Sequence, residues 1–250
     1  MSMTRSLLAA SLLPIAALAD TPAFDRPGIG FGTTVLPRGT LAWEQGLPDV
    51  TRQKDAGVTT TQYDAGTLIR YGLHDRVELQ LGGSPYSRLD TKGAGGNDRE
   101  EGSDDLSLAL KAALPAASDG FSWALLAGAS LPTGNEAFSR DRTQYFAGIT
   151  TAFELDDRQA VALYYNIAHD STGETFSFSP SWSLQLNDRL GLYVEAGLST
   201  GSAQDDDYVA GGGLTYMLTP RVQADLYGLR GLGARSTDLQ TGFGLSVFFD

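Results

Sequence analysis

Few residues in this chain have the type and spacing that chemistry requires. His169-Asp-Ser171 sets an imidazole and a hydroxyl two positions apart, which on an extended strand puts both on one face. That is a base beside a serine nucleophile, and such a pair also needs a third group to orient the base. By parity with Val161, Leu163, Tyr165 and Ile167 the pair faces outward. The only other histidine, His74, sits in a short turn and reads as a turn residue. Asp205-Asp-Asp207 and the acidic stretch from Asp98 to Asp105 offer carboxylate oxygens for a divalent cation. Neither has the glycine and distal glutamate of a calcium loop, so both read as solvated loops. The clusters Gly93-Ala-Gly-Gly96 and Gly211-Gly-Gly213 lack the strand–glycine–helix context that cradles phosphate. The absence of cysteine excludes thiolate metal sites, cysteine nucleophiles and a disulfide scaffold. No cofactor or metal is expected. A net charge of −12 argues against nucleic acid as a partner.

The elements that must position these residues are strands. From Thr175 to Leu186, Phe176, Phe178, Pro180, Trp182, Leu184 and Leu186 fall on one face and serines on the other. A helix would scatter the two sets, whereas a strand separates them. Leu106/Leu108/Leu110/Ala112/Leu114 and Leu239/Thr241/Phe243/Leu245/Val247/Phe249 repeat the split. A turn signature also recurs: Tyr71-Gly-Leu-His-Asp-Arg-Val-Glu-Leu79, Phe153-Glu-Leu-Asp-Asp-Arg-Gln-Ala-Val161, Leu184-Gln-Leu-Asn-Asp-Arg-Leu-Gly-Leu192 and Tyr216-Met-Leu-Thr-Pro-Arg-Val-Gln-Ala224. The uneven spacing of Arg76, Arg158, Arg189 and Arg221 excludes a regular solenoid. What repeats is a tight turn, its arginine placed to meet lipid head groups.

Twelve alternating segments emerge: 39–50, 58–73, 77–87, 104–114, 121–132, 142–155, 159–169, 174–186, 190–201, 207–218, 222–232 and 239–249. Each is about 11 residues, the length of a tilted strand crossing a bilayer. Short turns alternate with longer polar loops, notably Arg88 to Ser103, as in outer-membrane barrels with short periplasmic turns. Aromatics near strand ends (Trp43, Tyr63, Tyr71, Trp123, Tyr145, Phe153, Tyr165, Tyr208, Tyr216) fit two interfacial girdles. The expected fold is therefore all-β: a membrane-spanning, up-and-down antiparallel barrel of about twelve strands over 39–250. A secreted β-sandwich also alternates, but would not carry so many outward aromatics. Pro180, mid-strand on the lipid face, cannot donate a ladder hydrogen bond and predicts a bulge or a local strand end.

The first residues set the compartment. Arg5, the apolar run Leu7 to Ile15 and Ala17-Leu18-Ala19 form a cleavable signal peptide over 1–19. The apolar run is too short to span as a helix. The expected home is the outer membrane of a Gram-negative cell, with outer-membrane lipid and the barrel-insertion machinery as partners. Residues 20–38 then precede the barrel as a periplasmic or lumen-inserted segment, with Arg26 placed to meet an acidic wall.

The faces opposite the lipid-facing set give the lumen. Its charged candidates are Glu44, Asp64, Arg70, Glu78, Asp105, Lys111, Glu154, Glu195 and Asp225, joined by Tyr164, Asn166, Gln185, Tyr193, Gln223 and Tyr227. Seven acids against two bases predict an unneutralised, solvated, cation-preferring lumen. Eight strands fill a barrel with side chains and sixteen leave a wide channel. Twelve fits a narrow channel for small solutes, with a closed, purely structural barrel as the alternative.

Three stretches resemble a known family: Thr34-Val-Leu-Pro-Arg-Gly-Thr through Glu44-Gln-Gly-Leu47, Leu68-Ile-Arg-Tyr-Gly-Leu-His-Asp-Arg-Val-Glu-Leu79, and Thr219-Pro-Arg-Val-Gln-Ala-Asp-Leu226 with a glycine-rich final strand. Together they are similar to the outer-membrane transporters labelled after the meta-pathway of phenol degradation. The resemblance implies an outer-membrane barrel with a transport role, and aromatic compounds as solutes by label, although the inferred lumen is polar. It brings no set of functional residues. Such barrels commonly end on an aromatic residue, whereas here Phe249 is followed by Asp250. The pair His169/Ser171 also resembles the His-x-Ser of outer-membrane phospholipase A, a twelve-stranded barrel, which would imply a lipid hydrolase. In that family an asparagine on the next strand orients the histidine. Residues 170–186 contain none, and Asn166 points inward by parity.

Overall fold

A computed structural model describes residues 23–116, 118–202 and 204–250. The signal peptide at 1–19 lies outside these residues. Fifteen strands form one antiparallel sheet: β1 Leu41–Asp55, β2 Val58–Asp64, β3 Thr67–His74, β4 Val77–Gly83, β5 Ser87–Gly93, β6 Gly96–Gly102, β7 Leu106–Leu114, β8 Phe121–Leu131, β9 Gln144–Asp156, β10 Gln159–Asp170, β11 Gly173–Gln185, β12 Leu190–Gly201, β13 Gln204–Thr219, β14 Val222–Gly231 and β15 Leu239–Phe249. β15 returns to pair with β1, from Leu41 opposite Phe249 to Arg52 opposite Leu239, so the sheet closes on itself. Twelve of the strands make the closed wall, as the alternation predicts. Closure matters because an open edge would leave unpaired backbone groups, which hydrocarbon cannot solvate.

The other three strands correct the sequence reading. The expected strand 58–73 is divided into β2 and β3, the expected strand 77–87 ends at Gly83, and the expected loop from Arg88 to Ser103 is a hairpin of β5 and β6. The upper part of β1 pairs with β2, β2 with β5 and β5 with β6, forming a ribbon above the wall. This hairpin is polar on both faces, so no apolar alternation betrays it. Arg88 and Arg99 both pair with Asp90, at 2.7 and 2.9 Å.

The breaks align across neighbouring strands at Gly46 to Pro48, Ala65–Gly66, Ser84 to Tyr86 and Ser103 to Asp105. In β1 the register shifts between Gly46 and Asp49. A shift of one residue exchanges the two faces of a strand, so Glu44 and Asp49, of opposite parity, both point inward. Pro180 causes neither a bulge nor a strand end. The β10 ladder runs through it unbroken, while towards β12 pairing lapses between Phe178 and Ser181 and resumes in the same register.

The barrel is apolar outside and polar inside. Leu106, Leu108 and Leu110 are about half exposed, as are Val194, Leu226 and Phe243. Arg70, Lys111, Glu44 and Glu78 are among the largest fully buried side chains. That inversion is what a lipid-facing wall around a polar lumen requires.

Candidate functional site

The lumen site is built by the segment from Ala23 to Leu36, which lies against the inner wall. Arg70 on β3 donates to both oxygens of Glu78 on β4, at 2.8 and 3.0 Å, and to Glu44 on β1 at 2.9 Å. Its remaining reach goes to the Ala23 carbonyl, also at 2.9 Å. Lys111 on β7 donates to Asp25 at 2.7 Å, and Gln80 reaches the other Asp25 oxygen at 2.9 Å. The wall answers in kind: Glu44 accepts the backbone N–H of Asp25 and Arg26 at 3.0 and 2.7 Å, and Glu78 accepts that of Leu36 at 2.8 Å. Burial alone would raise the Asp25 carboxyl, but Lys111, Arg70 and the Gly32 N–H hold it below the ordinary carboxylate range.

Arg26 bridges β1 and β14, the two strands that flank β15. Its guanidinium forks onto both oxygens of Asp49 at 2.9 and 3.0 Å and reaches Asp225 on β14 at 3.2 Å. These carboxylates outweigh burial and raise its pKa above the usual arginine value. Gln223 fixes its carbonyl at 3.0 Å, and Tyr227 donates to Asp49 at 3.1 Å. The bare Gly244 permits this position, since a Cβ there would lie 2.5 Å from Arg26 Nε. Further along, Ile29 N–H donates to Glu195 at 3.0 Å, and Phe31 packs edge-on against Tyr164 with centroids 5.6 Å apart. Gly30 lets the segment pass Tyr164, where a Cβ would lie 2.8 Å from the ring.

The sequence candidates therefore divide. Glu44, Arg70, Glu78, Lys111, Glu195 and Asp225 meet the N-terminal segment. Tyr164 meets it through Phe31. Asp64 instead accepts from Gln62 and Ser87. Asp105 is buried at the top of β7, where it accepts the backbone N–H of Thr133, Gly134 and Arg140, and so ties down the following loop. Glu154 is exposed near the Asp156–Arg158 turn. The expected unneutralised lumen is corrected in part: Arg26, Arg70 and Lys111 pair with Asp25, Glu44, Asp49, Glu78 and Asp225, whereas Asp64 and Glu195 have no such pair among the described contacts. Glu78 and Asp225 are buried rather than solvated, because the inserted segment takes the place of water. Asp49 escapes a strict alternation that puts it on the lipid face. Pro48 beside Gly46 was the available signal for that register shift.

Two cavities border the segment. The larger, about 670 Å³, lies between the segment and β9 to β13, lined by Thr150, Tyr164, Ser179, Ser181, Tyr193 and Glu195 among others. The smaller, about 360 Å³, lies at the line of strand breaks beside Asp49, Asp64, Gly66, Ser84 and Asp104. Arg26 borders both.

Outside the lumen, His169 is exposed, with Nδ1 3.9 Å from a Glu174 carboxylate oxygen, and Ser171 lies in the β10–β11 turn. Among the described residues, no group of three or more His, Cys, Asp or Glu fit to hold a metal ion occurs.

A model of the family described as "Putative MetA-pathway of phenol degradation" matches residues 24–249. The structure is similar to the COG4313 outer membrane channel from Pseudomonas putida F1, at 16% identity and a TM-score of 0.71, over 89% of this chain and 99% of that one. It is also similar to the NanC porin, at 10% identity and 0.52, over 84% and 99%, and to the translocator domain of the autotransporter NalP from Neisseria meningitidis, at 12% and 0.51, over 85% and 89%. At these identities the shared property is the fold. No curated protein matches the sequence.

Proposed function

Since the chain belongs to the MetA-pathway phenol-degradation family and folds as outer-membrane channels do, we propose that it is an outer-membrane channel for small polar solutes. In this reading the N-terminal segment closes it, and the open path prefers cations. The observation that carries the reading is the pair of cavities, about 670 and 360 Å³, that both border Arg26. A path interrupted by one removable segment is what a gated channel needs. Hydroxyls and carboxylates line both cavities, so a polar solute suits them better than a hydrocarbon. Three bases do not balance the lumen acids, and Glu195, Asp64 and Asp104 stand without a lysine or arginine ion pair among the described contacts. Low-dielectric walls focus their field on the path. The apolar outer face takes outer-membrane lipid as its partner.

The test is single-channel conductance of the refolded protein in a planar bilayer. Deleting residues 20–35 raises conductance severalfold if the segment is the closure. A barrel that conducts nothing with or without the segment is a structural one. Phospholipid hydrolysis abolished by Ser171→Ala would establish the hydrolase reading instead.

A further inference from the structure

One wall of the lumen keeps polar atoms without partners. Glu195 is 7% exposed; its Oε2 accepts the Ile29 N–H, but its Oε1 is buried and unbonded. The Tyr193 hydroxyl, two residues earlier on the same face of β12, and Thr150 Oγ1 on β9 are also buried and unbonded. All three residues line the larger cavity. The register joins them: Thr150 lies opposite Tyr164 and Tyr164 opposite Ser179, while Ser181 lies opposite Glu195 and Ser183 opposite Tyr193. A half-satisfied carboxylate thus sits in a field of hydroxyls. Of the two bases bordering the cavity, Arg26 is held by Asp49 and Asp225, and Arg158 stands at the turn with Asp156 and Asp157.

We propose that this wall is a binding site for a small organic ammonium ion. A buried carboxylate oxygen gains most from a donor that is also positive. The hydroxyls accept the remaining N–H groups. An acidic solute would meet Glu195 with no uncommitted base beside it. A neutral sugar would donate hydrogen bonds but leave the charge uncompensated. Glu154, Asp156 and Asp157 at the cavity rim concentrate cations there.

The proposal rests on reading the lumen as a solute path, so binding is measured apart from conduction. The full barrel, refolded in detergent, is titrated calorimetrically with ethylamine and 1,4-diaminobutane, with glucose, acetate and potassium chloride as controls. Saturable binding is expected for the amines alone. Losing a charge-assisted hydrogen bond should weaken it about tenfold or more in Glu195→Gln, and less in Tyr193→Phe. Glucose or potassium binding as tightly, an unchanged Glu195→Gln, or no saturation at tens of millimolar would overturn the site, the last leaving water as its occupant. Should Glu195→Gln fail to fold, Tyr193→Phe combined with Thr150→Val carries the same test. Amine binding without conductance in any variant would reject the channel and keep the site. Conductance without amine binding would do the reverse.

Discussion

On the wall made by β1, β3, β4 and β7, Glu44, Arg70, Glu78 and Lys111 have no solvent exposure, and each touches the N-terminal segment or a residue that does. On the wall made by β9 to β12 stand Thr150, Tyr164, Ser179, Ser181 and Ser183, with Glu195 the buried acid that borders the cavity the segment leaves there. Both walls face the same lumen. Charges must find counter-charges once water is excluded, so the first wall is committed to structure and closes over the segment. Hydroxyls tolerate either water or a ligand. In the proposed channel, closure and passage therefore fall to different strands of one barrel.

Arg70→Met should break this division most severely. It leaves Glu44, Glu78 and Asp25 buried beside a single base, at a cost of about 3–5 kcal/mol for an uncompensated buried charge. The urea midpoint of the refolded barrel measures it. Adding Glu44→Gln and Glu78→Gln should recover part of the loss, and full stability of Arg70→Met alone would show that the charged wall holds nothing. Arg26→Ala removes the bridge between Asp49 and Asp225 but leaves the Arg70 cluster intact. Its conductance should rise towards that of the 20–35 deletion, with a smaller stability loss of about 1–3 kcal/mol. Conductance equal to wild type would place the closure elsewhere in the segment.

Glu195→Gln should move the reversal potential across a potassium chloride gradient towards zero, most clearly at low salt where screening is weakest. Unfolding should hardly change, because among the described residues only the Ile29 N–H bonds this side chain. A shifted urea midpoint with unchanged selectivity would transfer Glu195 to the structural wall. The least effect is expected from Ser181→Ala and Ser183→Ala, within about 0.5 kcal/mol of wild-type stability. A loss comparable to that of Arg26→Ala would erase the contrast between the walls.

The sequence by itself determined the barrel. Alternation along 106–114, 174–186 and 239–249 and the arginine-bearing turns sufficed, because lipid imposes a strict period of two on each strand. Parity also placed Arg70, Glu78, Lys111, Glu195 and Asp225 inside. Tertiary structure decided what those residues meet. The sequence set Arg26 against an acidic wall, but Asp25 and Arg26 lie in a segment without periodicity, so nothing local records that their partners are on strands as distant as β7 and β14. Asp49 was hidden by a one-residue shift that reverses faces beyond Gly46, and the β5–β6 hairpin by having no apolar face. Alternation reports which side of a wall a residue occupies. Which charges pair across the lumen depends on a chain path that only the folded barrel fixes.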